Sequence, residues 1–421
     1  MSTLWQIKVK NRKTVEQDIR NLLEASGAFD WLGPKELPVI LKPNLVLPSE
    51  ASEGATTHPE IAEALIVLLK EGGWQTILIA EGSWVGDSTA KAYRSCGYTE
   101  LSRRYGIRLI DLQKDEAVAL SPPPELLSAL PERERKRAED ALPLQVCRTI
   151  LDVTAAGGSL INLPLIKGHG QTLVTCALKN LKGCIPDSEK RRYHRLGVHL
   201  PVALLNTLIR PSFALADGLN PDPGWEEGGN PLRRDLLLLG RDPVSLDSAA
   251  AGLLSVPVED VTYIGMAREL GIGEMAGRGD LVDLSGPPSS APESGGPEGR
   301  APEETATAAP AFSEQAESIE ERDALRRKIS ELVVEKDACS ACFGNLVSVL
   351  RKLDAEGKLG TEGKLHQVPS PIYIGQEFRG KQLPEAALGI GICTKGAKQW
   401  VRGCPPGTGA IGEFLEGAID S

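Results

Sequence analysis

PVILKPN (Pro38–Asn44), THPEIAEALIVLLKEGG (Thr57–Gly73) and TILIAEG (Thr76–Gly82) are the segments on which the fold of this chain turns. The first is a short apolar run ending at Lys42, Pro43 and Asn44, which reads as a buried strand meeting a polar loop. The second opens at Thr57 or His58 with Pro59 in its first turn. It carries Ile61, Leu65, Leu68 and Leu69 on one side and stops at Gly72 and Gly73, as an amphipathic helix does. The third is again a strand, followed by Glu81 and Gly82. Strand, helix and strand in this order predict a right-handed crossover joining parallel strands, because the helix must fold back over the sheet to bury its apolar side.

The same alternation extends in both directions. Thr14 and Gln17 have capping-box spacing ahead of Val15, Ile19, Leu22 and Leu23, which share a helix face. Helical stretches at Ser88–Arg94 and Thr99–Tyr105 lead to a strand at Ile107–Leu112, and the charged, proline-rich Ser121–Pro143 reads as a surface excursion. Strands are then expected at Ser159–Leu163, Ser212–Ala216 and Asp235–Leu239, with helices at Gln171–Leu181, Val202–Ile209, Val244–Leu254 and Val258–Leu270. Ser285–Ser318, built from Pro, Gly, Ser, Ala, Glu and Thr, has almost nothing to bury and reads as a flexible linker. The expected organisation is an α/β domain over 1–284, a linker over 285–318 and a four-cysteine domain over 319–421. The fold class is α/β, a mostly parallel sheet with helices on both faces, followed by a small α/β C-terminal metal-cluster domain.

Composition narrows the function. At 421 residues the chain exceeds what one core usually supports, and its 41% apolar and 25% charged residues lie in the globular range. A net charge of -10 argues against a nucleic-acid partner, which needs clustered Lys and Arg to displace counterions. Met1–Arg20 lacks the apolar core of a secretory signal, and no apolar run of about eighteen residues occurs, so neither export nor a membrane is expected. The expected location is the cytoplasm, where thiols stay reduced and clustered cysteines mean metal or catalysis.

Four cysteines form such a group. CSAC at Cys339–Cys342 has the two-residue gap that lets two thiolates face one metal, Cys393 follows the apolar run Ala387–Ile392, and Cys404 lies in GCPP. A Pro after a ligating Cys stiffens the turn, and Gly344, Gly389, Gly391 and Gly403 let backbone approach sulfide. A [4Fe-4S] cluster on Cys339, Cys342, Cys393 and Cys404 is expected, with a zinc ion as the alternative and four structural thiols as the third reading.

In an open parallel sheet ligands bind beyond the carboxyl ends of strands. Those positions hold Lys42 and Asn44, Glu81, Lys167 and His169, and Asp217, which together suit a small anionic molecule or a second metal. Gly168 and Gly170 around His169 read as a helix opening that exposes amides to an anion, with Lys179 and Lys182 downstream. The expected catalytic residues are Lys167, His169, Lys179 and Glu81, and the expected cofactor-binding residues are Lys42, Asn44 and Asp217. Lys190, Arg191 and Arg192 read as a solvated basic turn, Cys176 as a core thiol, His199 as a helix cap, and His58 equally as cap or functional group. No GxGxxG at a strand-to-helix turn, P-loop or GxSxG is present, so dinucleotide, nucleoside-triphosphate and serine-hydrolase chemistry lack their parts.

LKPNLV (Leu41–Val46), THPE (Thr57–Glu60), AEGS (Ala80–Ser83), NLPLIKGHGQTLVTCALKNLKGCIP (Asn162–Pro186), ADG (Ala216–Gly218) and GRDPVSLD (Gly240–Asp247) together resemble domain of unknown function 362. The resemblance implies an α/β fold and an iron-sulfur, redox character without naming a substrate. The CSAC to GCPP tail is similar to a C-terminal extension of some members, replacing the ferredoxin-like pair of cluster motifs that others carry. Lys179 and His169 also bear a remote analogy to the lysine and histidines of the lactate racemase fold. The expected function is thus an iron-sulfur-dependent oxidoreductase or electron-transfer protein acting on a small anionic substrate or cofactor, with an electron-carrier protein as partner. The alternatives are a non-redox racemase- or lyase-like enzyme with a structural zinc site, and an iron-sulfur carrier or assembly protein.

Overall fold

The computed structural model describes residues 3–277, 279–286, 329, 331–336, 338, 340–358 and 371–419. Apart from Ser285 and Gly286, the expected linker lies outside these residues, as does Cys339.

Side chains alternate across a strand, and here that alternation divides the apolar residues into two cores. Ile40, Leu78, Ala80, Leu160, Ala214, Ala216 and Leu238 enter one. Their chain neighbours Val39, Leu41, Ile77, Ile79, Ile161, Leu163, Phe213, Leu215, Leu237 and Leu239 enter the other. A sheet that is apolar on both faces must be covered on both, which is the expected architecture.

The strands are β1 (Leu4–Lys8), β2 (Val39–Pro43), β3 (Ile77–Glu81), β4 (Arg108–Asp111), β5 (Ala117–Leu120), β6 (Leu144–Cys147), β7 (Ser159–Leu163), β8 (Lys167–His169), β9 (Leu173–Thr175), β10 (Phe213–Gly218), β11 (Leu236–Gly240) and β12 (Leu281–Asp283). Eight of them form the main sheet in the order β12-β1-β11-β10-β7-β2-β3-β4. The run from β10 to β4 is parallel throughout, while β11 is antiparallel to both β10 and β1. Helices α1 (Val15–Ser26), α2 (Pro59–Glu71), α3 (Thr89–Ser95) and α4 (Tyr98–Tyr105) cover one face through residues such as Ile19, Leu65, Tyr93 and Tyr98. On the first core's side follow α5 (Pro124–Leu127), α6 (Glu132–Ala141), α7 (Arg148–Ala155), α8 (Ala177–Asn180), α9 (Asp187–Leu196), α10 (His199–Leu208), α11 (Pro243–Leu253) and α12 (Thr262–Glu269).

Two local expectations are overturned. The helix expected over Gln171–Leu181 is only Ala177–Asn180, because Lys167–His169 and Leu173–Thr175 pair as an antiparallel hairpin. Gly168 and Gly170 therefore shape a hairpin instead of opening a helix, and Leu173 takes a φ of 64°, which no helix allows. Thr14 makes no side-chain cap; Asn11 instead accepts the N–H of Lys13 one turn earlier. The strand β1 carries no clear period-two signal and joins the sheet only through its partners β11 and β12.

A third core belongs to the C-terminal segment. Strands β13 (Val333–Glu335), β14 (Ile372–Ile374), β15 (Leu388–Ile390) and β16 (Gln399–Val401) form a parallel sheet in chain order, packed against helices Ser340–Ala355 and Thr408–Ile419. Trp225, from the loop after β10, packs against this core, as do Phe343 and Phe414. The guanidinium of Arg351 lies 4.7 Å from the Trp225 ring centroid. Among the described residues no helix is long and apolar enough to cross a membrane.

Candidate functional site

The carboxyl ends of β2 and β3 bring Lys42 and Glu81 together as an ion pair, 0% and 2% exposed. Burial pushes the Glu81 carboxyl up, against the pull of Lys42. Lys42 also donates to Pro43 O at 3.0 Å. Asn44 Nδ2 donates to Asn180 Oδ1 at 2.9 Å, and Asn180 in turn donates to Asn162 Oδ1 at 2.7 Å. A methyl group at Gly183 would sit 2.6 Å from both Glu81 Oε2 and Lys42 Nζ, so only glycine leaves this pair its room.

The hairpin β8–β9 carries Lys167 and His169. Lys167 Nζ donates to Ala55 O at 2.6 Å, Glu226 O at 2.8 Å and Asn44 Oδ1 at 3.3 Å. Burial lowers it to about 8. His169 Nδ1 accepts from the N–H groups of Gln171 (3.0 Å) and Thr172 (3.3 Å), which assigns the ring proton to Nε2, 3.5 Å from Glu226 Oε1. Burial, with Lys179 nearby, holds this imidazole well below its ordinary range.

Asp247 fixes the short helix α8. Its buried carboxylate accepts from the N–H groups of Ala177 and Leu178 and from the Tyr263 hydroxyl. So anchored, α8 presents Lys179, whose Nζ donates to Thr175 Oγ1 at 3.2 Å and whose pKa burial drives well down. Lys182 follows in the next turn, 3.3 Å from His194 Nε2, and burial beside Lys190 lowers it to about 7.

These groups line one cleft of about 670 Å³, its open mouth included: Asn44, Glu81, Lys167, His169, Lys179 and Asn180 with Thr175, Lys182, Lys190, His194 and Glu226, and with Val46, Trp84 and Val85 as an apolar wall. Lys42 stands directly behind, against Glu81 and Asn180. Asp217 does not join them. It accepts from His58 and from the Leu219 N–H, and is the fully buried tie between β10 and the start of α2.

Sequence reasoning missed Lys190 and His194. Lys190 is no solvated turn: it is 4% exposed and donates to Ser83 O, Gly82 O and Asp187 Oδ1. Their four-residue spacing on α9, with Tyr193 between, was the available signal, since i and i+4 share a helix face. Glu226, in the irregular segment PDPGWEE, gave none. Cys176 is the buried core thiol expected, and burial raises it well above the ordinary range.

In the C-terminal domain Cys342, Cys393 and Cys404 line a second, smaller cavity with Gly375, Gly391 and Gly403. The three glycines have φ of 132°, 82° and 144°, and a methyl at Gly391 would lie 3.6 Å from Cys342 Sγ. Soft sulfur donors around bare backbone fit a thiolate-bound metal or cluster. Among the described residues, no three His, Cys, Asp or Glu side chains are gathered closely enough to hold a metal ion by themselves; Cys339 is outside that set.

The family profile Domain of unknown function (DUF362) matches residues 39–252. The chain belongs to this family. Every residue lining the cleft falls inside the DUF362 match, and the cysteine domain lies beyond it. Thylakoid-associated protein sll1697 of Synechocystis sp. (strain ATCC 27184 / PCC 6803 / Kazusa) is similar, 26% identical over 268 residues that span 61% of this chain and 75% of that protein. A crystal structure of a Thermotoga maritima protein covers 58% of this chain and 59% of its own, at 14% identity and a TM-score of 0.39.

Proposed function

We propose that this DUF362 protein is a cytoplasmic iron-sulfur-dependent enzyme that binds a small organic anion in the cleft and exchanges electrons with a carrier protein. The observation that carries this reading is the convergence of Lys167, Lys179, Lys182 and Lys190 with His169 and His194 on one cleft at the carboxyl ends of parallel strands. Lys167 and Lys190, each fixed by three oxygen acceptors, bring amino groups to the cleft that suit a carboxylate or phosphate. Trp84, Val46 and Val85 offer an apolar surface to the carbon frame. Lys182, lowered to about 7, suits proton transfer near neutral pH, while the His169 imidazole, held well below its ordinary range, stays neutral there.

Cys339, Cys342, Cys393 and Cys404 would hold the cluster, which when bound supplies single-electron transfer. Gln171 Nε2 donates to Ala338 O at 2.7 Å, so the residue preceding Cys339 is tied to the hairpin that carries His169. Iron and acid-labile sulfide analysis of anaerobically purified protein, with electron paramagnetic resonance after dithionite reduction and calorimetric titration of malonate, tests both halves. Cluster signal lost in Cys393→Ser and Cys404→Ser, together with malonate binding, is the expected result. A colourless, zinc-loaded protein overturns the redox half. The low basicity of Lys182 then favours the second reading, an acid–base catalyst of the racemase or lyase type.

A further inference from the structure

We infer that Lys182 is a nucleophile that forms an imine with the carbonyl carbon of a 2-oxo acid. The inference rests on the anion-binding reading of the cleft and specifies its substrate class.

Hydrogen bonding separates the lysines of the cleft into two kinds. Lys167, Lys190 and, behind the wall, Lys42 each donate to three oxygens, carboxylate or carbonyl. Among the described residues Lys182 has one hydrogen-bond partner, the neutral His194 Nε2 at 3.3 Å, and no carboxylate within hydrogen-bond reach, Glu226 acting on it only at longer range. Burial of this amine beside one neutral hydrogen-bond partner, with Lys190 nearby, outweighs the opposing pull of Glu226 and favours the free amine, the form that attacks carbonyl carbon, in keeping with its pKa of about 7.

His194 supplies the proton traffic that imine formation requires. The ring is 7% exposed, lines the same cleft, and its Nδ1 has no hydrogen-bond partner among the described residues. The amine adds to the carbonyl, a C–N bond forms, and the carbonyl oxygen leaves as water once it has gained two protons, both from the amine nitrogen, with His194 relaying them. No oxidant or reductant is consumed. The substrate carboxylate meets Lys167 or Lys190, and its carbon side meets Trp84 and Val85. Lys179, which donates to Thr175 Oγ1, lines the same cleft.

The full-length protein is incubated with pyruvate and cyanoborohydride, digested and mapped by mass spectrometry, with pyruvate and lactate binding followed in parallel by calorimetry. The expected result is a reduced pyruvyl adduct on Lys182, lost in Lys182→Met. In His194→Gln the trapping rate should fall about tenfold at pH 7 and recover toward pH 9, a pH profile that a merely structural histidine would not produce. Pyruvate and lactate binding without any adduct overturns the imine and leaves the anion site intact. An adduct confined to another lysine also overturns it. Failure of both anions to bind removes the anion-site reading and the imine with it.

Discussion

Asp217 holds His58 with one oxygen: Oδ2 lies 2.8 Å from both the backbone N and the ring Nδ1 of His58. Both groups are buried, so the contact pins the N-terminus of α2 to the end of β10. Burial would lower the imidazole, but the charge and the hydrogen bond of Asp217 together outweigh it and the net shift is upward. Burial would likewise raise the carboxyl, and His58 brings it net below 3.8.

Asp217→Asn should therefore lose about 3 kcal/mol of stability, as when one partner of a buried pair is removed. The carboxylate's share is present above its ordinary 3.8 and is lost as pH falls through its lower folded value. The histidine's share is present below 6.5 and is lost as pH rises through its higher folded value. Urea unfolding at a series of pH values should show the largest gap between wild type and variant from about pH 4 to 6.5; a gap that does not vary with pH contradicts the pairing.

Lys42 and Glu81 are the second buried pair. Lys42→Met or Glu81→Gln alone should cost roughly 3 kcal/mol, because each strands a group built for a charge. The double variant should cost at least 1 kcal/mol less than the sum, the coupling expected of groups in contact. Strictly additive denaturation midpoints would show that the two act independently.

Anion affinity should fall as pH rises. Lys182 at about 7 and Lys167 at about 8 are cations below those values and lose their charge in turn above them. Sulfate keeps its charge over this range, and its affinity should drop about tenfold from pH 6.5 to 9. The ligand-free protein should move oppositely. Lysines whose basicity is lowered on folding cost stability at low pH, and that cost fades as pH rises from about 7 toward the ordinary 10.5. Calorimetry and thermal melting across pH check both signs.

Trp225→Ala should loosen the C-terminal domain from the cleft loop, since the ring packs on the C-terminal core and under Arg351. A loss of about 2 kcal/mol is expected for the removed contact area and cation–π pair. The adjacent Glu226 accepts the Gly170 N–H at 2.9 Å and faces His169, so sulfate affinity should fall as well. Limited proteolysis should cut the variant faster between the domains, and unchanged cutting would contradict the contact.

Much of this was legible in residues alone. The continuous apolar runs at Val39–Leu41 and Ile77–Ile79, with the amphipathic helix between them, predicted a parallel crossover, because strands apolar on both faces need a helix folded back over the sheet to cover them. Lys42, Asn44, Glu81, Lys167 and His169 could be chosen as neighbours because parallel strands deliver their carboxyl ends to one edge. Three-dimensional packing decided the rest. Local pattern favoured a helix at Gln171, yet pairing of Lys167–His169 with Leu173–Thr175 prevailed, since tertiary hydrogen bonds outweigh a weak propensity. Asp217 shares the chemistry of the cleft residues but is taken by His58, and Lys190 and His194 turn inward with the buried face of α9. Burial and partner number, which set a lysine's charge, belong to surroundings drawn from distant parts of the chain, and those exist only once the chain has folded.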